Sequence, residues 1–376
     1  MNQYDIAIVG AGIIGLSHAY AAAKRGLKVL ILERNETQIG ASIRNFGFGV
    51  VTGQQSGEML HLAQISRNIW GEWLTNAGIS LKRKGSLLIA RNEAEQAVLE
   101  AFVERKSKQN GYQSRLLTQA EKNTLYDGRF AKFPAILHGE EDQVLYSREA
   151  IPQISEYLKR LPNVTFQFGT LVRDVDVETG ALITTKGAFY ADEIIICSGH
   201  DYQTLLFDEI AKLSPVTCRL QMLRVRPKES IPLEHALFTG LSCTHYDAFT
   251  DLPEIEKLRA VIQEKYPQYV ENGIHLLITP TPYGDLIIGD SHHYGITHKP
   301  FNSERVDAML LQLAEETLNT PLEIVERWAG EYGARGDEPF SIIQKGSKVK
   351  AVLMRVGLGM SIGPALGERV IAGIYD

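Results

Sequence analysis

Three glycines near the start of the chain are spaced for binding a nucleotide phosphate. Gly10, Gly12 and Gly15 form a GxGxxG pattern between an apolar run and a helical stretch. The first glycine permits a tight turn, the second lets a pyrophosphate approach the backbone, and the third lets helix and strand pack closely. The pyrophosphate would lie at the helix N-terminus, where amide donors and the helix dipole favour an anion. The predicted contacts are Gly10, Gly12, Ile13, Ile14 and Gly15.

An acidic residue follows this pattern at the distance expected for ribose binding. Glu33 lies 18 positions after Gly15, at the end of the next apolar run. A carboxylate there accepts hydrogen bonds from ribose hydroxyls. It would also repel a 2′-phosphate, which disfavours NADP. This unit alone does not distinguish NAD from FAD.

Two further segments of small residues could contact the rest of a dinucleotide. Residues 40–47 form a loop whose hydroxyl and amide groups can reach a ribityl chain and a flavin edge. Residues 357–364 precede a terminal helix, and Pro364 predicts that this helix begins near Gly363. A helix N-terminus aimed at a flavin pyrimidine would stabilise negative charge that develops there. The predicted contacts are Ala41, Ser42, Asn45, Phe46, Gly47, Gly357, Gly359, Met360, Ser361 and Ile362.

The elements that must position these residues alternate between strand and helix. Residues 4–9 and 28–32 are short apolar runs typical of buried parallel strands, and the stretch between them that ends at Arg25 is helical. The middle third of the chain instead has short strands separated by Pro and Gly turns, as expected for an antiparallel or mixed sheet. The chain therefore predicts a nucleotide-binding unit combined with a sheet of a different kind.

Composition restricts the class of protein. The chain has 376 residues, and its 44% hydrophobic and 22% charged content excludes a disordered or fibrous protein. Its net charge of −6 gives no electrostatic footprint for nucleic acid. Three scattered cysteines do not form a disulfide framework and indicate a reducing compartment. No export signal and no apolar stretch of about 18 residues is present, so we expect a cytoplasmic protein without an integral membrane segment.

Together these segments resemble the D-amino-acid oxidase, glycine oxidase and sarcosine oxidase family of FAD-dependent amine oxidoreductases. The matching segments, in the family's order, are GAGIIG followed by Glu33-Arg34, then GASIRNFG, GSLLIAR and GLGMSIGPALG. The resemblance implies an α/β fold, in which a doubly wound Rossmann-type FAD-binding domain carries an inserted α+β substrate domain built on a mixed or antiparallel sheet. The FAD-binding domain is expected at residues 1–80, 140–214 and 326–376, and the substrate domain at 81–139 and 215–325.

The resemblance also implies how the cofactor is held. Relatives of the sarcosine oxidase type attach flavin through a cysteine in the C-terminal third, whereas the last cysteine here is Cys243. We therefore expect noncovalent FAD. Val172 is expected to meet the adenine through its backbone, and Arg34 is included among the cofactor contacts because it follows Glu33 in the matching segment.

The chemistry implied by the resemblance is oxidation of a C–N bond. A neutral amine binds with a C–H bond directed at flavin N5, hydride passes to the flavin, and water hydrolyses the imine to a carbonyl compound and an amine or ammonia. The cofactor carries this chemistry, and the protein orients the substrate. Oxygen is the expected electron acceptor and yields hydrogen peroxide, with a dehydrogenase that uses another acceptor as an alternative.

The substrate-binding residues depart from the family pattern. Relatives that oxidise amino acids often carry an arginine soon after a Trp-Ala-Gly segment, where it binds the carboxylate bidentately. Here residues 328–330 are followed by Glu331, and Gly357 occupies the place of a second arginine. The candidates for binding a substrate anion are Arg44, Tyr246, Tyr332 and Arg335.

The favoured substrate is an aminoalkylphosphonate. Residues 41–47 resemble a subgroup associated with breakdown of 2-aminoethylphosphonate and its N-methyl relatives. Loss of the usual arginines also favours a phosphonate slightly over glycine, sarcosine or a D-amino acid.

Hypotheses from other classes stay open, and no metal site is expected. An NAD-linked dehydrogenase could use the same nucleotide-binding unit, although the closing glycine-rich helix would then have no role. A non-catalytic dinucleotide-binding protein could keep the fold as an interaction module. The segment from Gly289 to His293 lies between strands of the middle third, so we expect it to be a hairpin. Its histidines lack Cys, His or Glu partners at ligand spacing, so no metal site is expected.

Overall fold

Two large β-sheets organise the structure, which is a computed structural model that describes residues 3–334 and 338–376. The strands are β1 (Gln3–Val9), β2 (Val29–Leu32), β3 (Phe48–Gly49), β4 (Leu81–Lys82), β5 (Ser86–Ala90), β6 (Ser114–Leu116), β7 (Ala135–Gly139), β8 (Gln143–Leu145), β9 (Val164–Gln167), β10 (Val172–Asp176), β11 (Ala181–Thr184), β12 (Gly187–Ile196), β13 (Val216–Pro227), β14 (Ala236–Thr239), β15 (Leu277–Pro280), β16 (Leu286–Gly289), β17 (His293–Gly295), β18 (Leu322–Ala334), β19 (Phe340–Lys345) and β20 (Val349–Met354).

Helices cover and connect these sheets. The α-helices are α1 (Ile13–Lys24), α2 (Glu58–Ala77), α3 (Glu93–Phe102), α4 (Lys108–Asn110), α5 (Gln119–Thr124), α6 (Ser147–Lys159), α7 (Phe207–Ala211), α8 (Glu254–Lys265), α9 (Pro267–Glu271), α10 (Glu304–Leu318) and α11 (Gly359–Tyr375). Shorter 3-10 turns lie at Ala41–Ile43, Leu125–Gly128 and Gly240–Thr244, and a π-helical turn lies at Val103–Ser107. Within the described ranges, none of the helices is long and apolar enough to cross a membrane.

The first sheet has the parallel core of a doubly wound fold. Its central order is β9-β2-β1-β12-β20, and every neighbouring pair in that run is parallel. β2 is buried along its whole length, as expected for a parallel strand that is covered on both faces. β10, β11 and β19 extend the sheet by antiparallel pairing. The predicted α/β class is confirmed.

The second sheet is mixed, as predicted for the middle of the chain. β13, β16, β15 and β14 pair antiparallel in turn, β5 joins β14 in parallel, and β7 and β6 complete the sheet. β18 runs antiparallel along the whole length of β13. A small sheet of β3, β8 and β4 completes the strand pairing.

α11 packs against α1 through small residues. A Cβ at Gly363 would come within 2.9 Å of Ile14 Cδ1, and one at Gly367 would come within 2.6 Å of the Ser17 carbonyl carbon. At the first turn of α11, a Cβ at Gly359 would lie 3.9 Å from Ile14. The contacts advance along both helices together, so the two helices are parallel and their N-termini lie side by side.

α11 begins at Gly359, which is earlier than the position predicted from Pro364. Inside a helix, a proline leaves the carbonyl four residues earlier without its usual amide donor. That carbonyl belongs to Met360, and it accepts a 2.9 Å hydrogen bond from Trp70 Nε1 in α2. The predicted start near Gly363 was wrong because a tertiary contact supplies the donor that the proline removes.

The segment after β16 does not form the predicted hairpin. β16 pairs with β13 between Met222 and Val225, and β17 pairs with β13 between Thr217 and Arg219. Because β18 pairs with one edge of β13, β16 and β17 must both pair with the other edge. They follow one another along that edge, and residues 290–292 separate them. The hairpin prediction was wrong because each flanking strand pairs with β13 and not with the other.

The predicted domain boundaries stay predictions, and one of them falls inside a strand. The boundary between residues 325 and 326 lies within β18, which pairs with β13 over its length. Residues 326–334 therefore belong to the second sheet by pairing. The boundary between residues 214 and 215 lies just before β13 begins.

Candidate functional site

The N-terminus of α1 is built to accept an anion. Gly12 is its N-cap, and the helix has neither a side-chain cap nor an acidic residue in its first turn. Gly10 has a φ of +104°, and a Cβ there would overlap the carbonyl oxygen of Cys197. A Cβ at Gly15 would overlap the carbonyl oxygen of Gly10. The turn therefore requires glycines, and the positive end of the helix dipole suits a pyrophosphate.

Glu33 lies beside the same turn, as predicted for a ribose contact. Its Oε2 accepts a 3.0 Å hydrogen bond from the Ala11 amide. Its Oε1 accepts from the Asn35 amide at 3.0 Å and from Asn35 Nδ2 at 3.1 Å. These bonds orient the carboxylate at the end of β2, where ribose hydroxyls would bind next to a pyrophosphate on α1.

Val172 and Arg34 flank Glu33 in different ways. The Thr170 amide donates to the Glu33 carbonyl at 2.9 Å, which brings the start of β10, with Val172, to the edge of the nucleotide site. Arg34 pairs with Asp201 at 2.8 Å, and about half of its side chain is exposed (52%). The structure thus gives Arg34 a surface ion pair, and its role in cofactor binding stays a prediction.

The second small-residue loop is folded by the side chain of Asn45. Its Nδ2 donates to the carbonyls of Ala41 at 2.9 Å and Ser42 at 3.0 Å, and its Oδ1 accepts from the Gly47 amide at 2.7 Å. Ser42 Oγ accepts a 2.9 Å bond from the Ile13 amide at the start of α1. The loop therefore lies over the N-terminus of α1, where the phosphate of a bound dinucleotide could replace Ser42 as the acceptor.

Further contacts join this loop to the second sheet. Thr279 Oγ1 in β15 donates to the Phe46 carbonyl at 2.7 Å, and Trp328 Nε1 in β18 donates to the Arg44 carbonyl at 2.9 Å. The loop is therefore held between the nucleotide-binding sheet and the mixed sheet. This is the place expected for the boundary between a cofactor and its substrate.

A cavity of about 520 Å³ opens between the two sheets. It contains seven of the predicted residues, namely Asn45, Phe46, Tyr246, Tyr332, Gly357, Met360 and Ser361. Other lining residues include Leu220, His245, His275, Leu277, Asp290, His292, Tyr294, Arg355, Val356 and Leu358. The remaining predicted cofactor residues lie outside this cavity. The structure therefore separates a nucleotide region at α1 from a cavity at the start of α11.

Both predicted tyrosines line the cavity as neutral hydroxyl groups. Burial raises the pKa of Tyr332 well above its usual value, and its ring lies against Gly357, where a Cβ would come within 3.1 Å of Cζ. Burial also raises the pKa of Tyr246, and the charge of Asp290 adds to that increase. At neutral pH both groups can donate a hydrogen bond to a ligand.

The arginine in the cavity wall is not one that we predicted. Arg44 does not line the cavity, and Arg335 lies outside the described residues. Arg355, at the end of β20, does line it and is only 8% exposed. Its Nη2 donates to the Leu213 carbonyl at 3.0 Å, and its Nε has no hydrogen-bond partner among the described residues. The signal in the sequence was that Arg355 lies two residues before Gly357, and Gly357 is the position at which the family pattern has a second arginine.

Three histidines from distant segments meet in the second-sheet wall of the cavity. The ring centroids of His245 and His275 are 4.0 Å apart, and those of His275 and His292 are 4.9 Å apart. The carboxylate of Asp290 lies 3.7 Å from His275 Nε2 and 3.6 Å from His292 Nε2. The expectation that His292 lacks partners was therefore wrong, because the fold and not the sequence spacing brings them together.

Burial shifts the pKa values of this cluster toward the uncharged forms. Burial lowers the pKa of His292 to about 4 and that of His275 well below its usual value. The pKa of His245 is lowered in the same way, while its accessible surface faces the cavity. Burial raises the pKa of Asp290 well above its usual value. At neutral pH the three imidazoles therefore carry an unprotonated nitrogen each.

Comparison with known proteins identifies the family. The FAD dependent oxidoreductase (DAO) family matches residues 5–372. Glycine oxidase from Bacillus cereus ATCC 14579 has a TM-score of 0.78, with 19% identity over 99% of this chain and 96% of that one. The L-alpha-glycerophosphate oxidase of Mycoplasma pneumoniae, solved with FAD bound, has a TM-score of 0.73, with 18% identity over 99% of this chain and 95% of that one.

A curated relative aligns with nearly the whole of this chain. A glycerol 3-phosphate dehydrogenase from Caloramator mitchellensis is 22% identical over 402 residues, which span 98% of this chain and 73% of that protein. The two structural likenesses agree with the family in fold. The chain belongs to the FAD dependent oxidoreductase family and is an FAD-dependent enzyme.

Proposed function

We propose that this protein oxidises the C–N bond of a small anionic amine, with an aminoalkylphosphonate or its N-methyl derivative as the favoured substrate. The observation that carries the proposal is Arg355, a residue of the cavity wall whose buried Nε has no hydrogen-bond partner among the described residues. Among the described residues no carboxylate forms an ion pair with it. A buried cation without a counter-ion is costly, so an anionic ligand would supply the missing partner.

FAD would be held by the nucleotide region described above. The amides of the α1 turn, Glu33 and the loop around Asn45 match a dinucleotide in donor type and position. When bound, FAD supplies the two-electron acceptor for the oxidation. All three cysteines are buried and none lines the cavity, which supports noncovalent attachment.

The size of the cavity supports a small substrate. Its volume of about 520 Å³ falls in the lower half of the range of roughly 300–1,000 Å³ for small-molecule sites. Apolar side chains such as Leu277 and Met360 face polar groups such as Tyr246 and Tyr332 across it. A short carbon chain between an amine and an anion would match this mixture.

A phosphonate is favoured over a carboxylate by the number of polar groups. Besides Arg355, the cavity offers the hydroxyls of Tyr246 and Tyr332 as hydrogen-bond donors. A planar carboxylate can be satisfied by one arginine, whereas a tetrahedral phosphonate presents three oxygens. Two relatives named above are enzymes of glycerol phosphate and one is a glycine oxidase, so a phosphorus oxyanion and a small amine are each represented among them.

The chain's own part in the reaction is to bind and orient the amine. Arg355 would fix the anionic end, and the neutral hydroxyls of Tyr246 and Tyr332 can donate to the anion without adding negative charge. The enclosing walls limit access of water until the C–N bond is oxidised. Water then hydrolyses the imine to an aldehyde and ammonia or methylamine, and oxygen is the proposed final electron acceptor.

The proposal is tested by anaerobic addition of amines to the FAD-loaded enzyme. Loss of the flavin absorbance is expected with N-methyl-2-aminoethylphosphonate or 2-aminoethylphosphonate, and not with glycine, sarcosine, D-alanine or glycerol 3-phosphate. Admission of oxygen with measurement of hydrogen peroxide then separates an oxidase from a dehydrogenase. Reduction by glycerol 3-phosphate alone, or by none of these compounds, would overturn the proposal.

An amino-acid oxidase is the second candidate function. Arg355 alone could bind a carboxylate through two parallel hydrogen bonds, because a guanidinium has five N–H donors and the Leu213 carbonyl already holds this one in place through Nη2. Reduction by glycine, sarcosine or D-alanine, without reduction by either phosphonate, would favour this candidate.

A further inference from the structure

We propose that His245, His275 and His292 bind a divalent transition-metal ion in the wall of the cavity, beside the carboxylate of Asp290. One ligand nitrogen from each histidine lies within 4.8 Å of the other two. Three imidazoles suit Zn²⁺ and related first-row ions, and such a site keeps an open position for water or substrate.

The spacing of the donor atoms fits a coordination site better than a hydrogen-bond network. Asp290 oxygens lie 3.7 Å from His275 Nε2 and 3.6 Å from His292 Nε2. These separations are too long for hydrogen bonds. The two contacts use different oxygens of Asp290, so the carboxylate lies beside both histidine nitrogens and is hydrogen-bonded to neither. It is therefore placed to balance the charge of an ion held by the three imidazoles.

The outer nitrogens of two histidines are already held in the manner of metal ligands. His292 Nδ1 donates to the Gly273 carbonyl at 2.8 Å, because a carbonyl can only accept. In the neutral ring this leaves the lone pair on Nε2, the atom next to Asp290. His275 Nδ1 lies 3.0 Å from Ser242 Oγ, so its Nε2 also faces inward. Such contacts orient ligand histidines and stabilise metal binding.

Two inward atoms of the cluster lack any partner. His275 Nε2 and Asp290 Oδ1 are buried without a hydrogen bond, and the two residues are 5% and 4% exposed. Each unpaired buried polar group costs free energy. No lysine or arginine among the described residues forms an ion pair with Asp290. A cation bound to His275 Nε2 would give that nitrogen a partner, and its charge would stabilise the ionised form of the neighbouring Asp290 carboxylate.

The ion would be reachable by a substrate, because all four residues line the cavity and His245 keeps accessible surface toward it. The role of this ion rests on the proposed function. The ion would bind an oxygen of the substrate's anionic group, withdraw electron density from it as a Lewis acid, and orient the substrate. With Arg355 in the same cavity, the ion would take the place of the bidentate arginine that amino-acid-oxidising relatives use.

The site is tested on the FAD-loaded full-length enzyme. Metal is removed with a chelator, excess Zn²⁺ is added and then desalted away, and the zinc that remains is measured by plasma mass spectrometry. We expect about one zinc per chain in the wild type, and loss of a ligand should reduce affinity by at least about tenfold. Accordingly, His275→Gln and His245→Ala should retain little zinc.

Matched variants keep this test falsifiable. His293 lies next to His292 but outside the group of three histidines, so His293→Ala should retain zinc like the wild type. Flavin content and the thermal midpoint show whether each variant is folded, and His245, with accessible surface, is the variant least dependent on core packing. Zinc-free wild type after Zn²⁺, Mn²⁺ and Ni²⁺ loading, or equal zinc in all variants, would overturn the site.

The role of the ion in substrate binding has its own readout. Titration of flavin reduction with the phosphonate should give an apparent affinity roughly tenfold weaker in the stripped enzyme than in the zinc-loaded enzyme. Equal affinities would overturn this role. If no amine reduces the flavin, the proposed function fails, whereas zinc retention still decides whether the site exists.

Discussion

The glycine turn before α1 leaves room for a pyrophosphate only because its residues lack a Cβ atom. Gly12 is the position at which this is easiest to test. A Cβ at Gly12 would come within 3.0 Å of Ser42 Oγ, in the space between α1 and the loop above it. Gly12→Val should therefore abolish retention of FAD, because the branched side chain occupies the approach of the pyrophosphate. The flavin-to-protein ratio after gel filtration measures this. Gly373→Ala, where nothing lies within 4 Å of the added Cβ, is the control and should remain fully flavinated.

Arg355 and Arg44 compete for the role of binding the substrate anion. Arg355 lines the cavity, whereas Arg44 does not. Arg355→Lys should weaken the apparent substrate affinity by about tenfold or more, because it removes charge-assisted hydrogen bonds worth about 1.5–3 kcal/mol. Flavin content should stay unchanged. Arg44→Ala serves as the comparison in the same flavin-reduction titration. A larger effect from Arg44→Ala than from Arg355→Lys would return the assignment to the residue predicted from the sequence.

At the scale of elements, α2 makes the early start of α11 tolerable. Trp70 and Trp73 lie side by side in α2 with ring centroids 4.8 Å apart, and both are fully buried. Trp70 Nε1 donates to the Met360 carbonyl that Pro364 leaves without its helical donor. Trp73 Nε1 is buried without a partner among the described residues. The two indoles thus differ mainly in one hydrogen bond.

Replacement of these indoles should separate the hydrogen bond from the packing. Both Trp70→Phe and Trp73→Phe remove similar buried area, but only Trp70→Phe orphans the Met360 carbonyl. Trp70→Phe should lower the free energy of unfolding by about 1–3 kcal/mol more than Trp73→Phe does. Urea unfolding of the FAD-loaded variants measures this difference. Equal losses would show that Trp70 does not compensate for Pro364.

Features that depend on residues close together in the sequence could be predicted from it. Features that depend on contacts between distant residues could not. The turn at Gly10 and the position of Glu33 follow from spacing along one strand–helix–strand unit, and the structure has both. The start of α11 depends on Trp70, which is 290 residues away from the carbonyl that it serves. His275 lies next to residues 290–292 because β15 pairs with β16, and His245 comes from the segment after β14, so these neighbours in space are apart in sequence.

At the scale of the whole molecule, one buried carboxylate joins the small sheet to the second sheet. Asp142 lies just before β8 of the small sheet, and its Oδ1 accepts from the amides of Val51 and Thr52, which follow β3. Its Oδ2 accepts from the hydroxyl of Ser86, at the start of β5 in the second sheet. The adjacent Val50 amide donates to Ser361 Oγ in α11, which packs on the first sheet's helix α1.

Asp142→Ala should therefore weaken the whole assembly. It would leave two buried amides and one hydroxyl without partners, and at about 1–3 kcal/mol for each such group the expected loss in free energy of unfolding is at least about 3 kcal/mol. Asp142→Asn is the matched control. Its oxygen can accept from both amides, and its Nδ2 can donate to Ser86 Oγ, so we expect a loss below about 1 kcal/mol.

Burial raises the pKa of Asp142, which means that the buried site disfavours the negative charge that an uncharged amide would not carry. Urea unfolding and flavin content, measured on both variants, show whether Asp142 connects two parts of the molecule or stabilises only its own surroundings. If Asp142 joins the nucleotide region to the second sheet, Asp142→Ala should lose flavin together with stability, while Asp142→Asn keeps both. Equal destabilisation by the two variants would mean that the negative charge of Asp142, and not its three hydrogen bonds, holds the sheets in register.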